Sequence, residues 1–203
     1  MRAAKNLIIL LLLAAFWYPV CAQEAAGETE KTVQSPSPDG QFAFLYAVTS
    51  ELKTFDLIEK KSGKILQRVA ESDPNFGNRF DAHVLWRPDS NAFALTTKTV
   101  RLGSSVAVFH RNGVAFRENK LPELLVDVPE KLTRGKHLDH FGAISSQSAK
   151  RWQKDGSLVV EITTTVDGNG ASETATRTVV LGFDRSGKTE ILKSTIKSKT
   201  ESD

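Results

Sequence analysis

Three times in 203 residues the chain repeats one phrase: an Asp turn, a strongly apolar run of strand length, then a Gly-centred turn. The phrases open at Asp39-Gly40 in SPSPDGQFAFLYA, at Asp89-Ser90 in WRPDSNAFALTT and at Asp155-Gly156 in WQKDGSLVVEIT. They close at Ser62-Gly63-Lys64, Asn112-Gly113 and Ser186-Gly187-Lys188. Asp39 to Gly63 and Asp89 to Gly113 are both 24 residues, while Asp155 to Gly187 is 32 because a loop through Asp167-Gly168-Asn169-Gly170 intervenes. Self-similarity at such a period marks stacked β units rather than an enzyme fold with one organised site. It constrains architecture far more than chemistry.

Within the first unit, Phe42, Phe44, Tyr46 and Val48 alternate with Ala43, Leu45 and Ala47, so both faces are apolar and the strand is expected at the centre of a sheet. Thr54–Glu59 and Lys64–Val69 flank Gly63 as a hairpin. The second unit repeats the order with Ala82–Trp86, Ala92–Lys98, and a Val106–Phe109/Val114–Phe116 hairpin across Asn112-Gly113. The third brings a strand into Trp152, then Leu158–Val166, a long-looped hairpin to Thr178–Phe183, and a last strand Thr189–Ile196. Between units two and three, Pro122 suits a first helical position, and Leu124, Leu125 and Val128 share a helical face. That pattern predicts a short helix stopped near Pro129.

The phrases SPDGQFAF and WRPDSNAFAL resemble the PD-type repeats of WD-like and Tol-associated β-propellers, where the same words open the inner strands of each blade. The resemblance covers most of residues 35–190 in three copies. It implies a blade-like meander and says nothing of function, because propellers host binding and catalysis alike. Two departures stand out. Pro36 occupies the place where the other copies carry Trp86 and Trp152, and three units are fewer than the four or more that close a ring. The expected fold is therefore all-β: three propeller-like antiparallel sheet units with one short helix, not closed into a ring. The single β domain spans 35–196, between a flexible lead (23–34) and a disordered tail (197–203).

Residues 1–22 give an address. Arg2 and Lys5 precede an apolar run from Leu7 to Tyr18, Pro19 breaks it, and Val20-Cys21-Ala22 fits a signal-peptidase site. The run is 12 residues, against about 20 needed to cross a bilayer, which favours a cleaved signal peptide over an anchor. Processing is expected between Ala22 and Gln23, with lipidation of Cys21 as a competing outcome. The protein would then be secreted or periplasmic, with no stable membrane insertion. Residues 1–22 hold two of 27 bases and no acids, so 25 bases face 24 acids in the remainder, a net charge of +1. That balance, with no basic stripe, argues against nucleic acid as a partner. Cys21 is the only cysteine, so stability rests on burial and not on disulfides.

The densest set of possible metal ligands is His137, Asp139 and His140 in His137-Leu138-Asp139-His140. On a strand His137 and Asp139 would share one face and His140 the other; in a loop all three could converge. Asp167-Gly168-Asn169-Gly170 resembles a fragment of a calcium loop, but its twelfth position, where a bidentate Glu belongs, is Thr178, and a plain hairpin loop explains the four residues. No G-x-S-x-G elbow activates Ser104, Ser105 or the serines of 145–148, and no glycine-rich phosphate cradle occurs. His83 and His110 read as structural histidines. Asp39, Asp89 and Asp155 are explained by turn chemistry, and Trp86 and Trp152 by packing between sheets. The leading expectation is an exported, non-catalytic β module without a cofactor, binding a protein or envelope component through loops at one end of its sheets. A metal-dependent hydrolase using the His137–His140 loop and a structural component of an envelope complex are the competing readings.

Overall fold

The computed structural model describes residues 30–72, 81–99, 103–128, 130, 139–168, 171–184 and 187–202. Twelve strands among these fall into three groups of four. The first unit holds β1 (Glu30–Gln34), β2 (Phe42–Val48), β3 (Lys53–Glu59) and β4 (Ile65–Ser72). The second holds β5 (Asp81–Trp86), β6 (Ala92–Thr99), β7 (Gly103–Asn112) and β8 (Ala115–Glu118). The third holds β9 (Asp139–Trp152), β10 (Leu158–Gly168), β11 (Ala171–Phe183) and β12 (Thr189–Ser202). Within each unit every strand pairs antiparallel with the next, so each is a four-stranded meander. The all-β, open architecture expected from the sequence is what the described residues adopt.

The units form two hydrogen-bonded sheets instead of three. Unit one stands alone, while units two and three join through a parallel contact between β7 and β9, Ser104 opposite Ser146. The Ser104 hydroxyl donates to Gln147 O at 2.7 Å, and the Val106 N–H donates to Gln147 Oε1 at 3.2 Å. Gly103 makes the approach possible. Its φ is +80°, and a Cβ there would sit 1.9 Å from the Ser145 carbonyl oxygen.

Alternation along β6 sets what fills each junction. Phe93 and Leu95 point to unit one and join Phe42, Phe44, Phe55, Leu57 and Phe109 in an aromatic cluster. Ala94, on the other face, joins Val108, Leu158, Val160, Ile162, Val179 and Leu181 in an aliphatic one. The third turn is one residue shorter. Ser37 and Arg87 N–H groups donate to the carbonyls five residues on, of Phe42 and Ala92, whereas Gln153 N–H donates to Ser157 O, four on. A one-residue slip exchanges the two faces of a strand, which is why Leu158, Val160 and Ile162 face inward although Phe93 and Leu95 do so in unit two. On the outward face of unit three lie hydroxyl rows, such as Ser146, Thr163 and Thr176, with Thr165 and Thr174 hydrogen-bonded at 3.0 Å.

One hydrogen bond recurs at both junctions. Trp86 Nε1–H donates to Ser35 O, and Trp152 Nε1–H donates to Leu85 O, each at 2.9 Å. Both tryptophans stand three residues before their unit's Asp, and both acceptors four residues before the Asp of the preceding unit. Pro36 takes the Trp place in unit one, where the described residues contain no earlier unit to clasp.

Several expectations need correction. Residues 121–128 carry no helix: Leu124 and Val126 are buried while Leu125 is 54% exposed, so the segment lies extended with a period of two against the aliphatic cluster. The expected long loop of the third hairpin is taken up by strand, β10 and β11 pairing out to Gly168 opposite Ala171. Strand β1 lies within the stretch expected as a flexible lead, and β12 extends through the expected disordered tail to Ser202. Both are edge strands held by backbone pairing, with largely exposed side chains, so their polar composition hides them.

Candidate functional site

The three Asp turns and the hairpin tips lie at one end of the stack. Each Asp makes the same local bond: Oδ1 accepts the N–H two residues on, from Gln41, Asn91 and Ser157, at 3.0 Å in every case. Burial works to raise the Asp39 and Asp89 pKa values. It is outweighed by hydrogen bonds from Ser37 and the Gln41 N–H in the first, and from Arg87 and the Asn91 N–H in the second. Asp155 is lowered by the hydroxyl and N–H of Ser157. The turn reading of these carboxylates therefore holds.

The residue after each Asp adopts positive φ: 71° at Gly40, 59° at Ser90 and 83° at Gly156. Ser90 is strained in a place that suits glycine, and its side chain explains the exchange. Buried between turns, its Oγ accepts the N–H of Asp39 at 3.0 Å, tying turn one to turn two. The tips are tied as well. Lys60 N–H donates to Gln41 O and Arg111 N–H to Asn91 O, both at 2.8 Å, and Asn119 Nδ2 donates to the Gly187 carbonyl. The Arg87 guanidinium lies 5.8 Å from the centre of the Trp152 ring.

Among the clefts formed by the described residues, two at this tied rim share the Arg111 side chain. One, of about 290 Å³, lies between units two and three and is lined by His110, Arg111, Arg117, Glu118, Asn119 and Lys120. The other, about 360 Å³, lies between units one and two against Phe42, Leu66, Arg111 and Val114, with Glu59 and Lys61 at its rim. Among the described residues Arg111, Arg117 and Lys120 form no ion pair with a carboxylate. Arg111 is held in place, its guanidinium 4.9 Å from the Phe42 ring centre and its Nε–H donating to Gly113 O at 3.0 Å.

His110 is only half the satisfied histidine expected. Asn119 gives its NH₂ to a carbonyl, so its Oδ1 faces His110 Nδ1, 2.7 Å away, and Nδ1 must carry the proton. Nε2 is thus a bare acceptor, buried and without a hydrogen-bond partner, with the ring packed on Trp152 and Phe183. Burial lowers the pKa; the Asn119 hydrogen bond opposes this and Arg87 adds to it. His83, on edge strand β5, is exposed.

Of the metal-ligand candidates, His137 lies outside the described residues, and Asp139 and His140 are described only as backbone of β9. The register places Asp139 opposite Asp167, so the described parts of the two motif fragments, Asp139–His140 and Asp167–Gly168, lie on neighbouring strands. They do so at the end of β10 away from the Asp turns. Among the described residues no three His, Cys, Asp or Glu side chains come together as a metal site. Ala22, Gln23 and Cys21 also lie outside the described residues, among which no helix is long and apolar enough to cross a membrane. Sequence reasoning missed Arg111, Arg117, Asn119 and Lys120. The available signal was the cluster Arg111, Arg117 and Lys120 around the Asn112-Gly113 turn, a basic hairpin in an otherwise balanced chain.

No family model matches the chain, and no curated protein does. Among solved structures it is similar to the uncharacterised protein lmo1340 of Listeria monocytogenes EGD-e, with TM-score 0.34 and 11% identity over 79% of this chain and 55% of that one. It is also similar to a protein from Lactobacillus plantarum, with TM-score 0.30 and 13% identity over 82% of this chain and 45% of that one. The chain spans about half the length of these structures.

Proposed function

We propose that the protein is an exported, non-catalytic β module that binds a protein or envelope component through the turn end of its sheets. The observation that carries this reading is the pair of clefts in a rim whose turns are bonded to one another. Recognition surfaces are commonly built from loops on a rigid scaffold. A rim already fixed loses less conformational entropy when a partner arrives, which favours affinity. Residues 1–22 support export through their basic start, apolar run and small residues before Gln23.

The test places a photo-activated cross-linking residue at Val114, on the turn end, and in a second protein at Thr176, on the outward face of unit three. Irradiated in the producing cell, the Val114 protein should form a discrete adduct and the Thr176 protein should not. Equal labelling at both positions, or none at Val114, contradicts the reading. Intact mass of the cellular protein should correspond to a chain starting at Gln23; retention of Met1–Ala22, or lipid on Cys21, contradicts that part.

A further inference from the structure

The two clefts differ in chemistry and share one wall, the Arg111 side chain, which lines both. On one side of it Arg117 and Lys120 accompany a single acid, Glu118. On the other, the Phe42 ring and Leu66 form an apolar floor beneath Val114, which is 80% exposed at the β7–β8 tip. Most nearby acids have local partners: Asp39, Asp89 and Asp155 bond their own turns, Asp89 also holds Arg87 at 2.7 Å, and Glu59 accepts from the Ser62 hydroxyl, while Asp39 feels the Arg111 charge without forming an ion pair with it. The cations facing the basic cleft are therefore not neutralised by ion pairs among the described residues, and the forked guanidinium groups of Arg111 and Arg117 suit a carboxylate.

Size and shape narrow the occupant. Pockets that enclose a drug-sized ligand run from about 300 to 1,000 Å³, so clefts of 290 and 360 Å³ each accept a side chain or a short segment. A nucleic acid would demand a basic stripe following its phosphates, and 25 bases against 24 acids after residue 22 supply none. A flat anionic bilayer does not enter concave clefts between sheets.

We infer that the turn end receives an acidic peptide segment, a carboxylate entering the cleft of Arg111, Arg117 and Lys120 while a neighbouring large apolar side chain packs on Leu66 and Val114. This deepens the binding-module reading and rests on it. The positive wall gives register and encounter rate, and the apolar cleft gives the burial that holds the complex.

The experiment follows backbone amide shifts of the purified protein during titration with a capped hexapeptide of alternating Glu and Leu. A hexapeptide of alternating Lys and Leu and phosphatidylglycerol vesicles serve as parallel arms. The acidic peptide should give saturable shifts centred on Gln41, Arg111, Val114, Asn119 and Gly187, and the basic peptide should leave them unmoved. Joint reversal, Arg117→Glu with Lys120→Glu, should weaken the acidic peptide about tenfold or more. Both residues are exposed, and unchanged amide shifts elsewhere show that the variant is folded. No shifts at these amides, shifts equal with the basic peptide, or engagement by vesicles alone would overturn the inference. A Val114 cross-link formed in the cell alongside a silent acidic-peptide titration would leave the module reading standing and remove only its acidic partner; silence in both removes both.

Discussion

The junction between units one and two is aromatic and that between units two and three is aliphatic, although the same tryptophan hydrogen bond closes both. In the first, Phe44 stacks on Phe55 with ring centres 4.8 Å apart, Phe93 stacks on Phe109 at 4.8 Å, and Phe44 meets Phe93 edge-on at 5.1 Å. In the second, the alanine face of β6 lets the larger Leu158, Val160 and Ile162 approach, and a backbone stitch at Gly103 assists. The clasp is thus positional: indole at one fixed place, carbonyl at another. The filling is free to vary so long as large side chains on one sheet meet small ones on the next.

The largest expected effect breaks the aromatic junction. Phe93 is fully buried against Phe44, Trp86, Phe109 and Phe116, and Phe93→Ala should cost about 3–5 kcal/mol by denaturant unfolding. Ile162→Val, trimming the aliphatic junction by one methylene, should cost only about 0.5–1.5 kcal/mol. Equal costs would mean that the two junctions are not filled as described. Gly103→Ala should destabilise by about 1–3 kcal/mol, because the new methyl meets backbone and not a movable side chain. Deuterium exchange should quicken in β7 and β9 while β2 and β3 keep their protection; uniform loss would place the stitch elsewhere.

Smaller effects sharpen the turn end. Ser90→Ala keeps the positive φ and loses the acceptor for Asp39 N–H, so it should cost about 1 kcal/mol. Ser90→Gly relieves the strain while losing the same bond and should cost less; the reverse order would refute the tie between turns. The smallest effect is that of His110. Its pKa lies below the ordinary 6.5, so the unfolded chain takes up that proton first as pH falls. Its contribution to stability is therefore complete above pH 6.5 and is lost as pH falls below it toward the folded value. The Asp turns, lowered from 3.8, lose theirs only at more acid pH. A His110→Gln protein should lack the upper of these two losses, and an unchanged pH profile would contradict the buried, neutral imidazole.

The core of the fold was legible because its signals are local and repeated. Asp39, Asp89 and Asp155 announce their turns, Gly63, Gly113 and Gly187 their hairpins, and the central strands are apolar on both faces. What was illegible depends on partners distant in sequence. Strand β1 and the part of β12 beyond Ile196 exist because an edge accepts them, not because their residues favour a strand. Leu124 and Leu125 fit a helical stripe, yet burial beside β10 and β11 selects Leu124 and Val126 and turns Leu125 outward. The one-residue shortening at Ser157 is invisible without the register, though it decides which face of β10 is core. The candidate site was legible only as turns. That Arg111 stands between two clefts follows from the joining of three units, and no single segment carries that information.

The central claim, three meanders clasped in series by equivalent indoles, has a direct measure in the exchange of the Trp86 and Trp152 indole N–H protons with deuterated water. Both should exchange far more slowly than a free indole, at rates comparable to each other and to the amides of β6, because each donates to a carbonyl in the preceding unit. Free exchange at either indole, with β6 amides still protected, would contradict the clasp and the serial joining of the units.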